Sequence, residues 1–167
     1  FPTAGIEYFC IKTIHILRRN AYVTEHLNHE GVSWKEGPPI DPAQPWYKAL
    51  FADDPEKKDA MEAFSATFPH PGVRFVSSSE NYLEMLPEQA SKGNALVKAA
   101  ELAGFRMENV YAIGDYYNDT ELLEAAGVSV VPQNAPDDLK EQADLVVGHC
   151  YQGAVADLIE EIERRHR

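Results

Sequence analysis

A short apolar run that ends in a glycine and a cluster of acids constrains the fold of this chain more than any other stretch. Residues 110–113 are too few for a helix and are typical of a buried strand. Gly114 gives the backbone freedom to turn sharply where that strand ends, and Asp115 and Asp119 follow it. In open α/β sheets, ligands bind just beyond the carboxyl ends of the strands. The sequence therefore predicts that both carboxylates lie at a binding edge.

The acidic loop after this strand has three interpretations. Two acids four residues apart, with Asn118 between them, suit a hard divalent cation that prefers oxygen ligands. The same residues also fit a turn and a capped helix, with Asn118 or Asp119 as the N-cap, Asn118 and Glu121 as a capping box and Gly127 as the closing residue. A calcium loop is disfavoured, because the segment lacks the glycine and the terminal glutamate of an EF-hand.

Composition argues against several classes of partner. A net charge of −12 and a pI near 4.8 argue against a nucleic-acid-binding surface, which requires clustered lysine and arginine. Cys10 and Cys150 show no paired-ligand spacing, so neither a disulfide framework nor a zinc site is indicated, and reduced, cytoplasmic residence is expected. No apolar run approaches the roughly 20 residues that cross a bilayer, so no membrane partner is expected.

The first half of the chain mixes strands and helices without regular alternation. Strands are predicted at residues 5–9, 11–17, 46–51, 73–78 and 81–86, and the first two are predicted to form a hairpin. Helices are predicted at residues 20–30 and from Pro55. A proline-rich loop is predicted at residues 37–45. Met61, Phe64 and Phe68 fall on one face of the second helix and are predicted to lie in the core. This order of elements suits an α+β sheet with helices on one face.

Two histidines on the first predicted helix invite a metal interpretation. His26 and His29 do not have the His-Glu-x-x-His order of a zinc protease. An ordinary polar helix face is therefore favoured over a metal site.

The second half of the chain alternates helices and strands. A helix that Ser91 caps and Gly104 stops precedes the strand at residue 110, and helix, strand, helix, strand and a final helix follow. Strict alternation predicts parallel βαβ units. A boundary at about residue 88 therefore separates an α+β domain, residues 1–88, from the second part of a doubly wound α/β domain, residues 89–167.

In this order, the motifs resemble those of the haloacid dehalogenase superfamily of phosphohydrolases, specifically the Cof type with an α/β cap, over nearly the whole chain. The matching segments are Tyr82-Leu83-Glu84-Met85-Leu86-Pro87, Ser91-Lys92-Gly93-Asn94-Ala95-Leu96, Gly114-Asp115-Tyr116-Tyr117-Asn118-Asp119 and Pro132-Gln133-Asn134-Ala135. In the last of these, Gln133 replaces a glycine that is usual in the family. The resemblance implies a Rossmann-like core, present here as its C-terminal half, and an α+β cap that sets substrate specificity.

The resemblance also implies roles for individual residues in a Mg²⁺-dependent phosphatase that acts on a small phosphorylated metabolite. Asp115 would be a direct Mg²⁺ ligand, while Asp119 and Asn118 would hold its water shell and the phosphate. Lys92 would neutralise charge between the phosphate and the attacking carboxylate, because two anions must otherwise overcome their repulsion.

Three further residues are predicted to contact the substrate. Asn134 lies in the loop that is usually Gly-Asn-Ala in the family, and Tyr82 and Arg19 lie in the predicted cap.

One departure from the family matters most. The Asp-x-Asp motif that carries the nucleophile is absent, and the serines at residues 77–79 do not replace the family's phosphate-binding Ser or Thr because they fall inside the predicted cap. Without the motif there is neither a nucleophile nor a general acid. The chain is therefore predicted to be truncated at its N terminus and inactive as it stands. The alternative is a non-catalytic binding or assembly module that keeps the fold.

The missing segment has a structural consequence. In the family, the strand at residues 110–113 lies beside the missing first strand, so here it is expected to present an unpaired apolar edge. Such edges recruit partners. The chain is expected either to dimerise through this edge or to be only marginally stable.

Overall fold

Two compact units make up the chain. The computed structural model describes residues 1–38 and 45–165. These residues divide into the units Phe1–Gln89 and Ala90–Arg167. Most of the proline-rich loop predicted at residues 37–45 lies outside the described residues.

A six-stranded mixed sheet forms the first unit. Its strands are β1 (Gly5–Cys10), β2 (Thr13–Arg18), β3 (Trp34–Glu36), β4 (Trp46–Ala52), β5 (Val73–Ser77) and β6 (Tyr82–Pro87). They lie in the order β3-β2-β1-β4-β6-β5, with β2 and β3 parallel and the other neighbours antiparallel. The predicted hairpin of the first two strands is confirmed. The sequence did not predict β3, because all of its residues are exposed and carry no apolar pattern.

Helix α1 (Ala21–Glu30) begins one residue after its predicted start and ends at the predicted residue. The side chain of Asn20 caps it by accepting a hydrogen bond from the backbone N–H of Val23 at 2.9 Å. Gly31 ends it in the left-handed region with φ of 62°. Local capping signals therefore fixed both ends of this helix.

The polar face predicted for α1 is wrong at His26. This side chain is buried, and its Nδ1 lies 2.7 Å from Oε2 of Glu7 on β1. His29 is exposed, as a polar face requires. The sequence did not reveal the difference, because the carboxylate that pairs with His26 lies on a distant strand.

Helix α2 (Pro55–Ser65) begins as predicted, with Asp54 as its capping residue. Its predicted apolar stripe is only partly correct. Met61 is buried, but Phe64 is 54% exposed and Phe68 is 45% exposed. The helix ends before Phe68, so the helical spacing that would have placed this ring on the same face no longer applies.

The two helices of the first unit lie on opposite faces of the sheet. Leu50 on β4 packs with Val23 and Leu27 of α1, whereas the next residue, Phe51, packs against Met61 of α2. Successive residues of a strand point to opposite faces. The prediction of helices on one face is therefore wrong, because β4 is apolar on both of its faces and each face carries a helix.

A three-stranded parallel sheet forms the centre of the second unit. Its strands are β7 (Tyr111–Ile113), β8 (Val128–Pro132) and β9 (Leu145–Val147), in that spatial order. Its helices are α3 (Lys92–Ala103), α4 (Thr120–Ala125), α5 (Asp137–Gln142) and α6 (Ala154–Arg165). Helices α4 and α5 connect successive strands, so the predicted parallel βαβ units and the α/β fold class are confirmed. Along the described ranges, no helix is long and apolar enough to cross a bilayer.

Strand β7 lies at an edge of this sheet. Among the residues that the structure describes, it pairs only with β8. Tyr111 and Ile113 are half-buried there, and Ala112 is buried. The free edge that the sequence predicted is therefore present.

The capping box predicted before α4 is wrong. A short 3₁₀ turn over Tyr117–Asp119 precedes the helix, and Asp119 is the N-cap residue without a capping hydrogen bond from its side chain. A box starting at Asn118 is therefore one residue out of register with the helix. The Asp119 carboxylate is instead turned towards Lys92 and the backbone of Asp115.

Gly127 does not close α4 as a left-handed residue. The helix ends at Ala126 in an extended conformation, and Gly127 is not among the residues with positive φ. A Cβ atom at Gly127 would lie 2.4 Å from the carbonyl oxygen of Met107. Close backbone approach therefore explains this glycine.

Candidate functional site

Lys92 stands in the first turn of α3. Ser91 caps this helix, as predicted, by accepting a hydrogen bond from the backbone N–H of Asn94 at 3.1 Å. The Lys92 Nζ lies 2.5 Å from Oδ1 of Asp119. A cation at a helix N terminus opposes the helix dipole, so the paired carboxylate offsets an unfavourable placement.

Gly93 brings α3 close enough to α4 for this contact. A Cβ atom at Gly93 would lie 2.4 Å from the backbone carbonyl oxygen of Glu121 on α4. Any larger residue would have to move backbone. The close approach of the two helices therefore sets the distance between Lys92 and Asp119.

The Asp119 carboxylate is the centre of the acidic loop. It is 6% exposed, and both of its oxygens are engaged: Oδ1 by Lys92, and Oδ2 by the backbone N–H of Asp115 at 3.2 Å. A Cβ atom at Gly114 would lie 2.4 Å from the Asp119 Cβ, so only glycine lets the loop fold this tightly. The loop is thus organised around one buried carboxylate.

Asp115 is exposed at the carboxyl end of β7, and Asn118 is half-buried. An open cleft of about 410 Å³ lies beside the acidic loop and is lined by both Asp115 and Asp119. The structure therefore brings the two acids together with Lys92, at the edge where parallel α/β sheets bind ligands. Their individual roles stay predictions.

Sequence reasoning missed one wall of this cleft. Cys150, Gly153 and Val155 line it and belong to the segment after β9 and the start of α6. The available signal was positional, since the carboxyl ends of parallel strands meet at one edge of a sheet. The segment carries few charged groups, so no motif marked it.

Asn134 links two loops beside this cleft. Its Oδ1 accepts a hydrogen bond from the backbone N–H of Cys150 at 3.0 Å. The loop after β8 is therefore tied to the segment after β9. The predicted contact between Asn134 and a substrate stays a prediction.

Tyr117 ties the acidic loop to α5. Its hydroxyl donates a hydrogen bond to Oδ1 of Asp138 at 3.2 Å. Burial, and then the Asp138 carboxylate, raise the pKa of Tyr117 above its usual range. The phenol therefore stays protonated as a donor at neutral pH.

Tyr82 belongs to the first unit. Its hydroxyl lies 3.5 Å from the backbone carbonyl oxygen of Tyr22, and its ring packs against His26. Burial, and then the carboxylates of Glu25 and Glu7, raise the pKa of Tyr82. These contacts give it a packing role, and its predicted contact with a substrate stays a prediction.

Arg19 also belongs to the first unit and is held by its neighbours. Its Nη2 lies 2.7 Å from Oε1 of Glu36, and its guanidinium lies 4.6 Å above the centre of the Trp34 ring. The ion pair and the cation–π contact fix the side chain locally. Its predicted contact with a substrate also stays a prediction.

The donor set suits Mg²⁺ better than a metal that needs a protein cage. Within residues 1–38 and 45–165, no three side chains of His, Cys, Asp or Glu come together as such a cage. Mg²⁺ usually takes one or two carboxylates and completes its shell with waters and phosphate oxygens. Exposed Asp115 fits a direct ligand, whereas Asp119, with both oxygens engaged, fits a place in the outer shell.

Comparison with known protein families decides the assignment. The sequence model of the haloacid dehalogenase-like hydrolases matches residues 11–159. The chain belongs to this family. The match includes the acidic loop, Lys92 and Asn134, so the resemblance inferred from these motifs is confirmed.

Named relatives of this haloacid dehalogenase-like chain include phosphatases. It is 36% identical over 118 residues to the 5-amino-6-(5-phospho-D-ribitylamino)uracil phosphatase YwtE of Bacillus subtilis. This alignment covers 70% of this chain and 40% of YwtE. The chain is 45% identical over 69 residues to the pyridoxal phosphate phosphatase YbhA of Escherichia coli, covering 41% of this chain and 25% of that protein.

The fold is also similar to that of a solved structure. The chain superposes on the crystal structure of a haloacid dehalogenase-like hydrolase from Bacteroides thetaiotaomicron with a TM-score of 0.78 and 26% identity, covering 95% of this chain and 61% of the other. The chain thus spans less than two thirds of the length of each of these three proteins.

Proposed function

We propose that this chain carries the metal-binding and phosphate-binding part of a Mg²⁺-dependent phosphatase that hydrolyses a small phosphorylated metabolite. The observation that best supports the proposal is the series of contacts from Lys92 through Asp119 to the backbone of Asp115, beside an open cleft. Membership of a hydrolase family with named phosphatase relatives supports the reaction class.

Each residue has a role that follows from its surroundings. Asp115 is the direct ligand, and bound Mg²⁺ would lower the repulsion between the phosphate and an attacking anion. Buried Asp119 holds the Lys92 ammonium with one oxygen and the backbone at Asp115 with the other. Lys92 adds a point charge for a phosphate oxygen. Asn118, half-buried in the same loop, is placed to support the water shell and the phosphate.

The nucleophile of the proposed reaction is not among these residues. The 167 residues contain no Asp-x-Asp followed by Gly and Thr or Val. In the proposed reaction such carboxyl groups attack phosphorus and protonate the leaving group. We therefore propose that the chain by itself binds Mg²⁺ and phosphate without turnover.

The same absence favours a second candidate function. A haloacid dehalogenase-like chain without a nucleophile would serve as a binding or assembly module. The two functions differ in one property, because only the phosphatase acquires turnover when an Asp-x-Asp segment is supplied.

The substrate and the partners are part of the proposal. Asn134 is proposed to contact a small phosphorylated metabolite, and the phosphorylated compounds named for YwtE and YbhA are the first to test. Contacts of Tyr82 and Arg19 with a substrate stay separate predictions. The free edge of β7 is proposed to accept a second copy of the chain. Residence in the cytoplasm stays a prediction from the two free cysteines.

Binding of Mg²⁺ tests the proposed metal site without relying on turnover. Isothermal titration calorimetry with Mg²⁺ and inorganic phosphate should show binding to the natural chain and a loss of at least about tenfold in affinity for Asp115→Asn. Asp137→Asn is the matched control, because Asp137 is an exposed aspartate of the same unit that pairs with Lys140 and does not line the cleft. Equal Mg²⁺ affinity of the two variants would show that Asp115 is not a ligand of the metal.

A further inference from the structure

A fully buried carboxylate lies in the middle of the sheet of the first unit. Glu7 is on β1, between β2 and β4, and its paired residues on those strands are Ile16 and Leu50. Glu7 is 0% exposed, and each of these two neighbours is 1% exposed. A charge in such surroundings is strongly disfavoured unless it is compensated.

His26 on α1 is the residue placed to compensate this charge. Its Nδ1 lies 2.7 Å from Oε2 of Glu7, within ion-pair distance. Neither oxygen of Glu7 accepts a well-aligned hydrogen bond from a residue that the structure describes. A contact of this kind depends on charge more than on hydrogen-bond geometry.

Aromatic rings keep water away from the pair. The imidazole of His26 packs edge-on against Phe9 at 6.0 Å and against Tyr82 at 5.3 Å, measured between ring centres. The Tyr82 hydroxyl faces the carbonyl oxygen of Tyr22 rather than the carboxylate.

Two charged residues on neighbouring elements have contacts of their own. Lys48 on β4 lies above the Phe9 ring and pairs with Glu84 on β6 at 2.9 Å. Glu25 on α1 is exposed and acts on the Tyr82 phenol. Among the ion pairs of the described residues, the one that Glu7 forms is with His26.

We propose that Glu7 and His26 form a pH-sensitive latch that holds α1 against the sheet. With a proton on His26, the two charges compensate each other. Loss of that proton leaves the buried carboxylate uncompensated, which is strongly destabilising, and α1 loosens. The inference concerns the first unit alone and does not rest on the proposed phosphatase function.

The direction of the pH effect follows from proton linkage. In the proposed latch the folded pair keeps one proton, whereas an imidazole in an unfolded chain releases its proton near about pH 6.5. Unfolding at higher pH therefore releases a proton, so stability falls as the pH rises. For one proton, the ratio of folded to unfolded molecules falls by up to about tenfold for each pH unit.

Tryptophan fluorescence can follow this unit selectively, because both tryptophans of the chain, Trp34 and Trp46, lie in it. Urea unfolding of the natural chain should show a decreasing ratio of folded to unfolded molecules between pH 5.5 and pH 8.5. Glu7→Gln keeps the shape and removes the charge, so it should flatten this dependence. His26→Gln should be less stable than the natural chain, because it leaves the buried carboxylate without its partner.

The matched control is His29→Gln, which removes an exposed histidine from the same helix. It should keep the pH dependence of the natural chain. His15 and the other titratable groups are present in all variants, so their effects cancel in the comparison. If His26→Gln does not fold, Glu7→Gln alone decides the question. A Glu7→Gln chain with the natural pH dependence, or a His29→Gln chain that loses it, would overturn the proposal.

Discussion

Lys92 and Asp119 form a 2.5 Å contact that joins the first turn of α3 to the turn before α4. The carboxylate is buried and the ammonium is about half-exposed. The pair therefore holds the Lys92 ammonium beside Asp119, which lines the cleft. In the proposed phosphatase, this charge meets the phosphate.

Removing the ammonium should abolish most of the proposed activity. We expect Lys92→Met to lower phosphate release by about 10²-fold or more in an active form of the protein, the size seen when one preorganised electrostatic partner is lost. Lys98→Met is the matched control, because Lys98 is an exposed lysine of the same helix that pairs with Glu101. Steady-state kinetics of the two variants would contradict the account if both kept natural rates.

The close approach of α3 and α4 gives a second prediction. Gly93→Ala should destabilise the second unit by about 1–3 kcal/mol, because its Cβ would overlap the carbonyl oxygen of Glu121. It should also weaken binding of Mg²⁺ and phosphate, since the helix that carries Lys92 must shift. Urea unfolding and calorimetry measure the two effects.

Gly104→Ala separates these effects. Gly104 ends the same helix with φ of 73° and has open space around it. This substitution should cost about 1–2 kcal/mol from the left-handed conformation alone. Binding of Mg²⁺ and phosphate should remain natural, and an equal loss of binding in both variants would contradict the packing argument.

Asp144 should contribute an acid-sensitive part of the stability. The backbone N–H of Ser129 and then its hydroxyl each donate to Asp144 Oδ2 at 2.8 Å, and they hold the pKa of this carboxyl below its usual range. The unfolded carboxyl takes up its proton near about pH 3.9, so the stability is present above that pH and is lost as the pH falls through the lower folded pKa.

Two variants test this contribution. Asp144→Asn should lose stability less steeply than the natural chain as the pH falls below about 4. Ser129→Ala removes the hydroxyl donor and keeps the backbone donor. Its loss of stability with falling pH should therefore be intermediate between those of Asp144→Asn and the natural chain. Urea midpoints at several pH values give the comparison, and parallel curves for all three proteins would refute it.

The free edge of β7 predicts self-association. Sedimentation velocity over a range of concentrations should show dimers, or else thermal unfolding should show a marginally stable chain, because an apolar strand edge left open recruits partners. A monomer at all concentrations with a high melting temperature would contradict this prediction.

Local signals predicted much of the fold. Ser91 caps α3 and Gly104 ends it as the sequence predicts, and α2 begins at the predicted Pro55. Apolar runs between these signals identified the longer strands. These features depend on neighbours along the chain, which a sequence displays directly.

Long-range contacts explain what the sequence could not predict. His26 is buried because Glu7 lies on a strand across from it, and the Asp119 side chain leaves its capping position because Lys92 lies within reach. Cys150 joins the cleft through the order of strands in the sheet. Neither charge pairing across elements nor a shared sheet edge leaves a periodic pattern.

The most direct test of the account is Mg²⁺-dependent release of phosphate from p-nitrophenyl phosphate. The assay compares this chain with the same chain extended upstream in its reading frame, each with and without Asp115→Asn. The account predicts turnover by the extended protein alone, abolished by Asp115→Asn. Comparable turnover by the short chain, or natural turnover by the extended Asp115→Asn protein, would contradict it.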